Sequence, residues 1–198
     1  MYSKPQFESD FIKAYGYRGL ASIKNGQLTL PAVRHLDACY QTYKNSASNP
    51  LTMLVVGRIV RKDGTGERIG LNDIERTNFG KTNSASKGSV LDANDWGLEM
   101  NDAWLMGGIH ARLDFHMASP RTANNILDPT YGATVTGREL LGLTTFGYTL
   151  HPDTRLGEVY VCTNQSLALG ATFVAYQKAY DAAKASGGFS KLVNTNTS

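Results

Sequence analysis

The polar stretch Phe79–Gly88, FGKTNSASKG, carries lysine and hydroxyl side chains, which can bind phosphate or hold a sugar. Gly80-Lys81-Thr82 matches the last three residues of a phosphate-binding loop. That loop also needs a glycine five residues before Gly80, so that backbone N–H groups can wrap the phosphates, and residue 75 is Glu. The spacing therefore excludes a phosphate-binding loop and leaves Ser84 and Ser86 as the candidates for chemistry.

Two other segments carry charged side chains that could act on a nucleotide. Tyr17-Arg18-Gly19-Leu20 has a guanidinium directly after an aromatic residue, and a guanidinium can grip a pyrophosphate with paired hydrogen bonds. Glu139-Leu140-Leu141 has a carboxylate ahead of a glycine-bounded turn and the predicted strand Phe146–Leu150. A carboxylate can stabilise the cation-like ribose that forms when a glycosidic bond breaks.

These motifs occur in the order found in a known enzyme family. With Phe79 before the Ser84-Ala85-Ser86 pair and the alternating segment Leu113–Pro120 after it, the chain resembles the small ADP-ribosyltransferases of toxins and phages. The resemblance implies a bacterial or phage toxin or effector with NAD as its substrate, either for transfer of ADP-ribose or for hydrolysis. It implies an acceptor protein of unknown identity and allows a second protein that neutralises the activity.

The resemblance assigns six residues to one site and requires no metal. The residues implied are Tyr17, Arg18 and Phe79 for NAD binding, and Ser84, Ser86 and Glu139 for catalysis.

Two features depart from the family pattern. Members that modify arginine or asparagine carry Glu or Gln two residues before the catalytic Glu, and here that residue is Gly137. NAD hydrolysis or an unusual acceptor is therefore as consistent with the sequence as arginine modification. Glu158, which begins a predicted strand, is a rival for Glu139. Thr136 to Glu139 also has the pattern of a helix capping box, which would explain Glu139 without any substrate.

Functions of two other classes stay open. A cysteine amidase or protease would use Cys39 as the nucleophile and His110 or His116 as its base, with His35 one helical turn before Cys39. A non-enzymatic binding module would use the polar segment Asn72–Met100 or the face that carries the two histidines.

Strict alternation predicts a strand over Ile109–Met117, with one apolar and one polar face. The polar face would carry His110, Arg112, Asp114 and His116. Because the two histidines would lie about 20 Å apart in an extended strand, they are not expected to share a metal. A solvated polar face explains this pattern without a ligand.

Hydrophobic periodicity predicts an α+β fold with mainly antiparallel sheets flanked by helices. The predicted helices are Leu30–Asn45 and Leu167–Ala185, the latter capped by Ser166 and ended by Gly187. The further predicted strands are Tyr15–Ser22, Leu51–Ile59, Glu67–Leu71 and Glu158–Cys162, with a turn at Asp63–Gly66.

The chain of 198 residues has a net charge of +3, too small and too evenly spread to indicate a nucleic-acid groove. One domain over residues 1–191 is predicted, with a frayed tail at 192–198. The first residues lack a secretory signal and no segment is apolar enough to cross a membrane. The sequence therefore predicts synthesis in the cytoplasm, and an effector would need a non-classical route to another cell.

Overall fold

The computed structural model describes residues 2–46, 53–57, 60–61, 68–69 and 97–194. These residues form one α+β domain in which small antiparallel and mixed sheets are flanked by helices, as the periodicity predicts. The α-helices are α1 Lys4–Tyr15, α2 Leu30–Ser46, α3 Leu98–Ala111, α4 Ala123–Ile126, α5 Val135–Thr145, α6 Gln165–Leu169 and α7 Phe173–Ser186. Short 3₁₀ helices cover Gly16–Arg18, Thr154–Leu156 and Gly188–Leu192.

Four strands form the central sheet of the described residues. The strands are β1 Ile23–Lys24, β2 Gln27–Leu28, β3 Met53–Val56, β4 Val60–Arg61, β5 Arg68–Ile69, β6 Asp114–Met117, β7 Leu127–Asp128, β8 Gly132–Ala133, β9 Tyr148–Leu150 and β10 Val159–Cys162. The sheet order is β3-β6-β10-β9, with β3 parallel to β6 and the other two pairings antiparallel. The remaining strands pair as β1-β2, β4-β5 and β7-β8. The β5 strand lies within the predicted return strand Glu67–Leu71 and pairs antiparallel with β4, which begins one residue after the predicted strand Leu51–Ile59, and the predicted turn Asp63–Gly66 lies outside the described residues.

The N-terminal segment forms a helix that ends where the sequence predicts a strand to begin. Ser3 caps α1 in a capping box with Gln6, and Phe7, Phe11 and Tyr15 bury the inner face of the helix. The prediction of a strand over Tyr15–Ser22 is therefore wrong. Tyr15 ends α1, and the residues after it form a 3₁₀ helix. The loose alternation in this segment reflects a helix end rather than a sheet.

The predicted strand over Ile109–Met117 is also wrong in its first half. Helix α3 continues through His110 to Ala111 and ends where Arg112 adopts the left-handed conformation, with φ of 58°. The His110 Nε2–H donates to the Ala171 carbonyl, 2.7 Å away. His110 and His116 therefore lie on different elements and do not share a polar face.

Two glycines inside α3 mark a close approach of backbones. A Cβ at Gly107 would lie 2.4 Å from the Cys39 carbonyl oxygen on α2, and one at Gly108 would lie 2.4 Å from Leu54 Cδ1 on β3. The glycine pair therefore lets α3 pack closely against α2 and the sheet.

We expect Gly107→Ala to lower the free energy of unfolding by about 1–3 kcal/mol, because backbone must shift to admit the methyl group. Urea unfolding followed by circular dichroism measures this change. Gly26→Ser tests the alternative cause, a change in backbone preference alone, because Gly26 has φ of 73° and open space around it. An unchanged stability for Gly107→Ala would contradict the close packing.

The C-terminal region contains two helices where the sequence predicts one. Asn164 caps α6 and Thr172 caps α7, and the chain leaves the helical path between them. Gly187 ends α7 with φ of 67°, which confirms the predicted stop. Leu192 and Val193 pack against the core, and the Asn194 N–H donates to the Arg121 carbonyl. The predicted tail is thus held as far as Asn194, and residues 195–198 lie outside the described residues.

Within the described ranges, no helix combines the length and apolar character needed to cross a bilayer.

Candidate functional site

Two pairs of consecutive polar residues face each other inside the helical layer. Asn101 and Asp102 lie on α3, and Arg138 and Glu139 lie on α5. All four side chains are buried, with Asp102 fully inaccessible and Arg138 only 1% exposed. Burying charged groups is costly unless they are paired, so this cluster is the part of the described core that most needs an explanation.

Asp102 and Arg138 form a bidentate ion pair. Arg138 Nε lies 2.8 Å from Asp102 Oδ1, and Arg138 Nη2 lies 2.6 Å from Asp102 Oδ2. Burial alone would lower the pKa of Arg138, but the charge of Asp102 and the hydrogen bonds to it outweigh burial and raise that pKa. Arg138 therefore stays charged, and its contact with Asp102 joins α3 to α5.

Aromatic and amide side chains complete the surroundings of the ion pair. The Tyr15 hydroxyl donates to Asp102 from α1, and Arg138 Nη2 donates to Gln177 Oε1 on α7 at 3.1 Å. The guanidinium carbon lies 4.2 Å from the centroid of the Tyr180 ring and 4.9 Å from that of Tyr176. Arg138 thus contacts α3 and α7 directly, and α1 is connected to it through Asp102.

Glu139 is the candidate reacting group that lies in this cluster. Asn101 Nδ2 donates to its Oε1 at 3.0 Å, while its Oε2 is buried and has no hydrogen-bond partner among the described residues. The Gly57 N–H, at the end of β3, faces the same carboxyl group. Burial raises the pKa of Glu139 to about 8, and the charge of Asp102 adds to this rise, while the hydrogen bond from Asn101 and the nearby backbone N–H of Gly57 oppose it.

A carboxyl group with this pKa can exchange a proton near neutral pH. Groups that act as general acids or bases work best when their pKa lies near the pH of the reaction. Strongly shifted pKa values cluster at functional sites, although structural networks also produce them. Glu139 therefore has the burial, the unbonded oxygen and the proton affinity expected of a reacting carboxyl.

The predicted capping box at Thr136–Glu139 is wrong. Thr134 caps α5, because its hydroxyl accepts a hydrogen bond from the Gly137 N–H at 3.1 Å. Glu139 lies one turn further into the helix and points to Asn101 instead of to the helix end. Capping therefore does not account for Glu139.

Gly137 lies where a side chain cannot be placed. A Cβ at this position would lie 2.2 Å from the Ile126 carbonyl oxygen and 3.1 Å from Ala133 Cβ. A Glu or Gln two residues before Glu139 would thus require the backbone of α4 to move. The departure from the family pattern has a steric cause in this fold.

The two residues near the start of the chain that the sequence predicts to bind NAD are exposed. Tyr17 is 72% exposed, and Arg18 lies in the 3₁₀ helix with its guanidinium 5.9 Å from the Tyr17 ring centroid. Arg18 lowers the pKa of Tyr180, which burial raises, so Arg18 lies within electrostatic reach of the ring that stacks on Arg138. The predicted early strand for Arg18 is wrong, but Arg18 lies near α7, the helix that packs on the Arg138–Glu139 segment.

Three predicted site residues, Phe79, Ser84 and Ser86, lie outside the described residues, as does most of the predicted binding segment Asn72–Met100.

The rival carboxylate Glu158 is engaged elsewhere. Its Oε2 accepts a hydrogen bond from Arg121 Nε at 3.0 Å, and both side chains are partly exposed. Arg121 also donates to the Leu192 carbonyl, so this pair ties the C-terminal segment to the domain. Among the described residues, Glu158 thus has an ion pair, whereas Glu139 has a hydrogen bond from the neutral Asn101.

The alternative nucleophile Cys39 is completely buried on α2. Burial raises the pKa of its thiol, so the thiol stays protonated at neutral pH. His110, one of its predicted bases, is buried against Ala171. These contacts favour a packing role for Cys39.

Sequence interpretation missed the partners of Glu139. Asn101 and Asp102 directly follow the polar segment Asn72–Met100, and no motif in the sequence includes Arg138 as a candidate. The signal that could have found them is the occurrence of two polar residues directly before the apolar run Ala103–Met106, on what becomes a buried helix.

No group of three or more His, Cys, Asp or Glu side chains suited to a metal occurs among the residues that the structure describes. Comparisons of the chain with protein-family models, with curated proteins and with solved structures gave no match.

Proposed function

We propose that this protein hydrolyses the N-glycosidic bond between nicotinamide and ribose in NAD, and that Glu139 is the reacting carboxyl. The observation that carries the proposal is the state of Glu139: buried, held at one oxygen by Asn101, unbonded at the other among the described residues, and with its pKa raised to about 8. The substrate class comes from the resemblance to small ADP-ribosyltransferases.

The proposed reaction needs one carboxylate and one water molecule. The bond between the ribose C1′ and the nicotinamide nitrogen breaks, and its electron pair leaves with nicotinamide, which departs as a neutral molecule. The oxygen of water then bonds to C1′, and Glu139 takes the proton that the water loses. The products are ADP-ribose, nicotinamide and one proton, which the carboxyl later releases to solvent.

The charge of the substrate favours the reactive form of Glu139. Nicotinamide carries a positive charge while bonded to ribose, and a nearby positive charge stabilises a carboxylate over a carboxylic acid. Binding of NAD would therefore lower the pKa of Glu139 and ionise it when substrate is present. The same anion would stabilise the cation-like ribose as the bond breaks.

Arg18 fits the role of a pyrophosphate ligand. Its guanidinium is exposed and lies near Tyr180, on the side of the molecule where α7 packs against α5. Exposure leaves its N–H donors available to paired phosphate oxygens. Ser84 and Ser86 complete the proposal as ligands of the ribose.

The fold favours hydrolysis over transfer to an arginine. Transfer of that kind uses a Glu or Gln two residues before the catalytic Glu, and Gly137 has no room for any side chain. Water requires no such residue. The acceptor protein and the neutralising partner that the resemblance implies are therefore not needed for the reaction proposed.

The test is to incubate the protein with NAD and to measure nicotinamide release. We expect Glu139→Gln to lower kcat about a hundredfold, because a general base contributes 10²–10⁴-fold and the substituted amide cannot accept the proton. The matched control is Glu158→Gln, which removes a carboxylate that pairs with Arg121 and is expected to retain activity. For the wild type, kcat/KM is expected to rise with pH and level off above about 8, because the ionised carboxyl is the active form.

Two results would contradict the proposal. One is a wild-type protein that releases no nicotinamide and shows no thermal shift with millimolar NAD. The other is loss of activity in Glu158→Gln with full activity in Glu139→Gln, which would move the reacting carboxyl to the other segment.

A further inference from the structure

The order of residues along α3 and α5 links the ion pair to the candidate carboxyl. Asn101 directly precedes Asp102, and Glu139 directly follows Arg138. The bidentate contact between Asp102 and Arg138 allows little sliding of one helix along the other, since a shift of one residue would separate the guanidinium from the carboxylate. The alignment of α3 with α5 that joins the charged pair therefore also places Asn101 beside Glu139.

We propose that Asn101 is a positioning residue for Glu139: its side-chain amide holds Oε1 and leaves Oε2 to take a proton from water, and the Asp102–Arg138 pair keeps Asn101 in that place. This inference rests on the proposed function for the use of Oε2. The hydrogen bond of 3.0 Å between Asn101 Nδ2 and Glu139 Oε1 is the direct observation behind it.

The anchor of Asn101 is supported from several elements. Tyr15 of α1 donates to Asp102, and Gln177 of α7 accepts from Arg138 and donates to Asp181 at 2.9 Å. Because these contacts come from helices on different sides of the pair, a loss of one does not release the register. Asn101 is thereby preorganised before any substrate binds.

The groups that act electrostatically on Glu139 are few among the described residues. Asp102 on α3 disfavours the carboxylate, and the hydrogen bond from Asn101 and the nearby Gly57 N–H favour it. On α7, Tyr176 interacts with Glu139, and its hydroxyl donates to the Arg138 carbonyl at 2.5 Å. Asn101 is thus the neutral side chain that can stabilise the ionised form of Glu139.

The decisive variant is Asn101→Leu, which keeps nearly the same volume and removes the donor. Titration of carboxyl-labelled glutamate by NMR, with the Glu139 signal assigned by its absence in Glu139→Gln, reports the protonation midpoint without any substrate. We expect Asn101→Leu to raise this midpoint by about one pH unit, because it removes a hydrogen bond to the charged form. A merely structural role predicts the opposite change, since a loosened core admits water and lowers the midpoint.

The matched control is Gln177→Leu. Gln177 is an equally buried amide whose side chain bonds to Arg138 and Asp181, so its loss is expected to lower stability and leave the Glu139 midpoint unchanged. With NAD, Asn101→Leu is expected to lower kcat at least tenfold with little change in KM. A wild-type or lowered midpoint in Asn101→Leu would overturn the proposal.

A second measurement needs no variant. In the wild-type protein the side-chain amide protons of Asn101 are expected to shift with pH at the midpoint of Glu139, because they bond to its carboxyl. Amide signals that do not follow this titration would overturn the positioning role even if Asn101→Leu failed to fold. If the midpoints change as expected but the protein releases no nicotinamide, the contact between Asn101 and Glu139 stands. Its use in NAD hydrolysis would then be refuted.

Discussion

Asp102→Ala is expected to lower the free energy of unfolding by about 3–5 kcal/mol, because it leaves the Arg138 guanidinium buried without its counter-ion. Arg138 is 1% exposed and lies between two tyrosine rings, so water cannot replace the lost carboxylate without opening the helical layer. Small domains have total stabilities of about 5–15 kcal/mol, so this change is a large part of the whole. Urea unfolding of wild type and variant measures it.

The control for this prediction is the exposed pair of Lys4 with Asp37, whose N–O distance is 2.9 Å. Solvent screens this pair, so Asp37→Ala is expected to cost about 1 kcal/mol or less. The double variant Asp102→Leu with Arg138→Met is expected to be more stable than Asp102→Ala, since no unpaired charge remains. Equal effects of Asp102→Ala and Asp37→Ala would show that the buried pair has no special role in stability.

Glu139→Gln is expected to stabilise the protein at neutral pH while it removes activity. In the folded protein the pKa of Glu139 is raised from 4.5 to about 8, so the folded state keeps a proton that the unfolded chain releases. Stability is therefore full below pH 4.5 and is lost progressively as pH rises to 8. An amide never ionises, and the variant is expected to be more stable by up to about 3 kcal/mol at pH 7.

The shape of the pH dependence distinguishes this effect from a general change in packing. The difference in stability between Glu139→Gln and wild type should be near zero at pH 4, grow between pH 4.5 and 8, and then stay constant. Thermal or urea unfolding across this range provides the measurement, with Glu158→Gln as a carboxyl-to-amide control. A difference that is independent of pH would mean that the carboxyl is ionised in the folded state.

The elements predicted well are those whose signals are local. Helix α2, the hairpin of β4 and β5, and the stop of α7 at Gly187 follow from hydrophobic spacing, a turn sequence and a left-handed glycine. The predicted strand over Ile109–Met117 is wrong in its first half, where α3 continues to Ala111, because a buried helix carries few constraints on periodicity. When both sides of α3 are covered, alternation can arise by chance along it.

The candidate site could be predicted only in part. Glu139 was singled out from its sequence neighbourhood, whereas Asn101, Asp102 and Arg138 were not, because nothing in the local sequence pairs residues that lie about 37 positions apart on two helices. The sequence explains Gly137 only in part. It shows that the side chain of the family pattern is missing at this position, and the structure gives the reason for the glycine: the Ile126 carbonyl lies against its backbone.

The sequence by itself determined the α+β class, the helix stops and the presence of an isolated late glutamate, because propensity, periodicity and capping act over a few neighbouring residues. Only the tertiary structure decided that this glutamate is buried beside the Asp102–Arg138 ion pair and that burial raises its pKa to about 8. Burial and electrostatic interaction depend on which groups meet in space, and the packing of α3 on α5 sets those neighbours.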